Sequence, residues 1–267
     1  MKIFRHLFRF YINSSVHVGL SCLALFCITQ QQLFFSSPFS LSLFVFFGTI
    51  FAYNFIKYES LIRRRKNGIR KELKVIGWFS AVVFLGILYY YFQLRFQTQL
   101  GGFFIVALTL LYALPFFPNR SNARNWKGIK IYIVSLCWTL ATVFLPALEA
   151  DFSLDVMVFV YGLQRFILVF VLILIFEIVD LKNDDPLLQT VPQQIGVDRT
   201  KSLGFGLLVL FLALDCLNGN FSLLSLFFIL VTALFLAFAN EYRFKYYTLF
   251  WVEAIPIFWW LALRLLL

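Results

Sequence analysis

Glu177, Asp180, Asp184 and Asp185 stand together where a long apolar run, Leu154 to Val179, gives way to polar sequence. Carboxylates are costly near a bilayer, so four of them at such a boundary point to use. At helical spacing Asp180 and Asp184 lie on one face, with Glu177 one turn below on the same stripe. Converging carboxylates repel one another unless a cation joins them. A hard, oxygen-preferring ion such as Mg²⁺, itself held to a phosphate, is the usual solution. The alternative is an acidic helix end in water, and spacing alone leaves both readings open.

Basic residues gather in the other polar segments. Residues 57–71 carry Lys57, Arg63, Arg64, Arg65, Lys66, Arg70 and Lys71, and a later segment carries Arg120, Arg124 and Lys127. Thr190, Arg199 and Lys201 follow the carboxylates. Three such loops over one cavity would make a clamp of metal and cationic side chains, suited to a diphosphate. The competing explanation is topological, because basic loops orient any membrane protein and attract anionic lipids.

The elements that must position these residues are membrane helices. Hydrophobic residues make up 61% of the 267 and charged residues only 13%, which excludes an ordinary soluble domain. Nine apolar stretches are long enough, or nearly so, to cross a hydrocarbon core of ~30 Å as helices. They run approximately over Val16–Phe35, Phe39–Ile56, Val75–Phe92, Leu100–Phe117, Ile129–Leu148, Leu154–Val179, Leu203–Leu217, Phe221–Ala239 and Tyr247–Leu266. The expected fold is an all-α polytopic bundle forming a single domain over residues 1–267. Lys2, Arg5 and Arg9 alternate with Phe4, Leu7, Phe8 and Phe10, the pattern of an amphipathic helix on a membrane surface.

Numbering those nine stretches as crossings sorts the charge. Of the 23 Lys and Arg, 20 fall on the side of the N-terminus, which predicts a cytoplasmic N-terminus and an external C-terminus in a multi-pass protein of the cell membrane, or of the inner membrane in a bacterium. Because the basic residues are spread over every loop on that side, nucleic acid is not an expected partner, whereas membrane lipids are. Asp215 reads as part of an external loop.

Other chemistries lack support. Cys22, Cys27, Cys137 and Cys216 form no CxxC pair, and His6 and His17 are isolated. No Gly-rich phosphate loop, nucleophile elbow or HExxH motif occurs. Glu253 and Arg165 fall inside apolar stretches, where each needs a partner or a cavity, and a pairing between them is one option. A transporter is disfavoured, since Gly and Pro cluster at helix ends (Pro146 and Pro256 excepted) and charge collects on one face.

Two segments resemble the UbiA superfamily of intramembrane prenyltransferases. The first reads Asp180-Leu-Lys-Asn-Asp184 followed by Thr190, similar to the family's second DxxxD motif. The other is Tyr112-Ala-Leu-Pro115 followed by Arg120, Arg124, Lys127 and Gly128, similar to its Tyr-Ser-x-Pro segment. The resemblance spans nearly the whole chain. It implies nine transmembrane helices and Mg²⁺-dependent transfer of an isoprenyl group from an isoprenyl diphosphate to an aromatic or other lipophilic acceptor. It assigns catalysis to Asp180 and Asp184, metal binding to these and Glu177, and substrate contacts to Asn54, Lys57, Arg63, Tyr112, Arg120, Arg124, Lys127 and Thr190. The 54 aromatic residues offer rings for a carbocation, although most must face lipid or pack the bundle.

The family's first motif, Asn-Asp-x-x-Asp, is altered here. The stretch Tyr53-Asn54-Phe55-Ile56-Lys57-Tyr58-Glu59 keeps Asn54 but has Phe55 and Tyr58 where the aspartates belong. Losing a metal contribution of ~4 kcal/mol would slow chemistry by ~10³-fold unless Lys57 and Arg63–Arg65 replaced it. The alternative is a degenerate relative that binds isoprenoids or lipids without turnover.

Overall fold

Over its described residues, each of the nine apolar runs is largely helical. A computed structural model of the protein describes residues 2–64, 71–114, 128–219 and 221–266, and among these no strand occurs. The helices are α1 Lys2–Asn13, α2 Val16–Gln32, α3 Phe39–Arg64, α4 Lys71–Tyr91, α5 Phe96–Ala113, α6 Ile129–Thr139, α7 Leu145–Glu149, α8 Val156–Asp180, α9 Val191–Ile195, α10 Val197–Leu217, α11 Leu223–Phe238 and α12 Glu253–Leu266. Seven have the length and apolarity of a membrane crossing, counting α6 with α7 as one. The bent pair α1–α2, turning by 58°, makes an eighth. At 16 residues, or ~24 Å, α11 is the short member. Conversely α10, expected to begin at Leu203, gains a turn and a half from Val197.

Prolines set the two irregular helices. Pro146 and Pro256 cannot donate to the carbonyls four residues earlier, Thr142 and Val252. At each place the chain widens into a π turn, Leu140–Phe144 before α7 and Tyr247–Val252 before α12. Glu253 emerges from the second widening.

Cross-helix bonds show the antiparallel plan. Asn54 in the second half of α3 meets Ser80 in the first half of α4, and Glu149 at the end of α7 meets Arg95 at the start of α5. The ends of α3 and α8 therefore lie at one end of the bundle, with the starts of α2 and α6. Arg95, Glu149 and Asp151 mark the other.

Helix α8 occupies the middle. In its apolar window 72% of the residues are buried, against 11% for α4, so a polar residue on α8 faces protein. Leu168, Leu172 and Ile175 share their cluster with Phe211 of α10, Phe228 of α11 and Trp259 of α12. Phe228 and Trp259 stack with ring centroids 5.6 Å apart. Between α10 and α11, Gly204 allows a close approach: a Cβ there would lie 2.5 Å from Leu236 Cδ2, so that side chain would have to shift.

Helix α1 is amphipathic as expected. Ile3, Phe4 and Leu7 are exposed, while Phe8 packs on Tyr246 and Phe250, and Phe10 on Phe79 of α4. The Tyr58 hydroxyl donates to the Asn13 carbonyl at 2.7 Å and holds the α1–α2 corner to α3.

Candidate functional site

Helix α8 stops at Asp180, and a tight turn then brings Asp184 back over its end. Asn183 N–H and Asp184 N–H both donate to the Asp180 carbonyl, at 2.7 and 2.9 Å. Asp180 and Asp184 thus meet through a turn, not on one helix face as their spacing suggested. Asp180 is exposed, whereas Asp184 is partly covered and its Oδ2 is buried without a hydrogen-bond partner. The two carboxylates and Glu177 are electrostatic neighbours, and Lys130 at the start of α6 faces both Glu177 and Asp180. Sequence reasoning did not single out Lys130, whose partners lie some 50 residues away.

Two expected contacts are occupied elsewhere. Glu177 is buried and its Oε2 accepts from Val191 N–H at 3.1 Å, capping the short helix α9. Thr190 is 2% exposed and stands at the head of α9, its N–H donating to Gln193 Oε1 at 2.9 Å. Both build the α8–α9 connection. Among the described residues no three His, Cys, Asp or Glu converge as a metal cluster.

The end of α3 holds the second group. Asn54 is 3% exposed; its Nδ2 donates to Ser80 Oγ at 3.0 Å and its Oδ1 is buried without a partner. Phe55 lies against Phe51, and Tyr58 is tied to Asn13. Trp138 of α6 donates its indole N–H to Tyr53 Oη at 3.1 Å. Tyr112 is buried and is an electrostatic neighbour of Tyr53.

Lys57 and Glu253 are electrostatic neighbours, joining α3 to the start of α12. Both are enclosed by protein over most of their surroundings yet keep accessible surface. Tyr11 and Tyr53 also lie within electrostatic reach of Glu253. Tyr11 donates to His17 Nδ1 at 2.6 Å, and His17 Nε2–H donates to the Phe250 carbonyl at 2.9 Å, inside the π turn before Glu253. His17, isolated in sequence, is thus a link between α1 and that turn. The alternative partner for Glu253 does not hold, because Arg165 bonds Thr29 instead.

A polar rim joins the two groups. Lys182, just past α8, pairs with Glu241 at 3.6 Å and lies over the Tyr242 ring at 3.4 Å. The same α11–α12 connection carries Lys245, an electrostatic neighbour of Lys57. Arg120, Arg124 and Lys127 lie outside the described residues, as does the Arg63 side chain.

No protein-family model matches the sequence, and no curated protein matches it by sequence. Solved structures do match by shape. A UbiA homologue from Archaeoglobus fulgidus bound to Cd²⁺ superposes with a TM-score of 0.66 at 10% identity, over 95% of this chain and 97% of that one. The chain has the UbiA fold. An apo UbiA homologue from Aeropyrum pernix K1 agrees, with a TM-score of 0.63 and 13% identity over 92% of this chain and 97% of that one. So does the Archaeoglobus fulgidus homologue bound to GPP and Mg²⁺, at 0.61 and 11% over 95% and 98%. Within the UbiA fold of this chain, Asp180 and Asp184 close one end of the central helix and Lys57 with Glu253 stand at the same end.

Proposed function

We propose that the protein is a divergent UbiA-type prenyltransferase that moves an isoprenyl group from an isoprenyl diphosphate to an aromatic or other lipophilic acceptor. The observation that carries this reading is the buried, unpartnered Asp184 Oδ2 beside Asp180, in a fold shared with a homologue bound to GPP and Mg²⁺. An orphaned carboxylate oxygen next to a second carboxylate suits a divalent cation. In this reading Asp180 and Asp184 hold Mg²⁺, with water and diphosphate oxygens completing the shell. When bound, the ion supplies charge neutralisation for the departing diphosphate.

The residues of this chain do the rest. Lys130 offsets the charge of Asp180 and Glu177, and Lys57 adds a cationic contact for the diphosphate. The allylic C–O bond breaks heterolytically, diphosphate leaves with the electron pair, and an acceptor carbon or heteroatom bonds to the carbocation. Glu253, the electrostatic neighbour of Lys57, receives the proton that the acceptor gives up. The polar groups face the cytoplasm, as the 20-to-3 division of basic residues implies.

A binding-only reading has its own support. Tyr58 and Phe55, at the altered motif, are used for packing, so α3 offers no carboxylate in their place. Purified full-length protein, given a panel of isoprenyl diphosphates with Mg²⁺ and scored separately for binding and diphosphate release, decides between them. Transfer requires both; the binding-only reading requires the first without the second.

A further inference from the structure

A second charged centre lies far from the carboxylate end. Arg165 is 15 residues before Asp180 on α8, hence ~22 Å away along the helix. It is 5% exposed. Its Nη2 donates to Thr29 Oγ1 at 2.9 Å, while the Thr29 hydroxyl donates to the Leu25 carbonyl at 3.1 Å. Its Nε is buried with no partner. Among the described residues no carboxylate pairs with it. Asp215, itself buried on α10, is committed to Gln164 at 2.9 Å and Ser225 at 2.6 Å.

A guanidinium keeps its charge at neutral pH, and burial without a counter-charge is strongly unfavourable. Arg165 does not face a solid wall. It lines a cavity with Gln164, Tyr161, Gln32, Phe211 and Trp259, between α2, α8, α10 and α12. The enclosed part of the space is small, with room for one small particle against the guanidinium. Gln32 and Gln164 place amide dipoles on the same wall.

We propose that this cavity binds a single-atom monovalent anion of chloride's size, held by the Arg165 guanidinium. The anion supplies the charge that no side chain provides and ties α2 to α8 at mid-bundle. This site is independent of the carboxylate end and of any reaction there.

The test uses full-length purified protein moved from sodium gluconate into sodium chloride or sodium bromide at constant ionic strength. Both halides should raise the thermal unfolding midpoint saturably, and Arg165→Met should abolish that dependence. Crystals grown in bromide should show an anomalous peak in contact with Arg165, a measurement on the unmodified protein that stands if Arg165→Met does not fold. Equal midpoints in gluconate, chloride and bromide, a halide dependence that survives Arg165→Met, or water in place of bromide at Arg165 would each overturn the proposal.

Discussion

Asp184 N–H bonds the Asp180 carbonyl at 2.9 Å, and with the Asn183 N–H on the same oxygen it holds two acids together at the end of a helix. The backbone holds together groups whose charges repel, with Lys130 offsetting part of the repulsion. Asp184→Asn should therefore leave unfolding in the absence of metal unchanged or shift it upward. The same variant should lose Mg²⁺-dependent diphosphate binding. Thermal scans with and without Mg²⁺ check both halves.

Lys57 and Glu253 should be energetically coupled. Because Lys57 keeps exposed surface, solvent screening holds the interaction near ~0.5–1 kcal/mol. Unfolding of Lys57→Met, Glu253→Gln and the double variant should show the double variant less destabilised than the sum of the singles. Strict additivity would separate the two residues.

Tyr58 fastens α1 in place of doing chemistry. Tyr58→Phe removes the hydrogen bond to Asn13 and should destabilise the protein by ~1 kcal/mol. Proteolysis within the first 15 residues should accelerate, while diphosphate affinity stays within about twofold, a shift under ~0.5 kcal/mol. A large loss of affinity would instead place Tyr58 in the site.

Gly204→Val should be among the more damaging changes in the apolar core. Its added carbons meet Leu236, and overpacking of this kind costs ~1–3 kcal/mol. A denaturation midpoint equal to that of the unmodified chain would mean that α10 and α11 do not approach so closely.

Much of this was legible from composition. Helical crossings follow from apolar length, and an amphipathic α1 follows from Lys2, Arg5 and Arg9 set among aromatics. The carboxylate pair was visible because Asp180 and Asp184 are close in sequence, though the turn that joins them was not. Partnerships between distant helices left no local trace. Glu253 with Lys57, Lys130 with Asp180, and Tyr11 with His17 and Phe250 depend on which helices adjoin, and spacing carries no such information. Asp215 looked like an external-loop charge for the same reason, yet it is buried against Gln164 and Ser225. That Glu177 and Thr190 also build the head of the short helix α9 could not be read from their places beside the acids.

The central claim is that Asp180 and Asp184 jointly hold a cation once a diphosphate arrives. Two carboxylates and water make an incomplete shell for Mg²⁺, so the ion alone should stabilise the protein little. Mg²⁺ together with an isoprenyl diphosphate should raise the unfolding midpoint clearly, and Asp180→Asn with Asp184→Asn should remove that rise. Equal stabilisation of the double variant and the unmodified protein would show these residues to be no more than an acidic helix end in water.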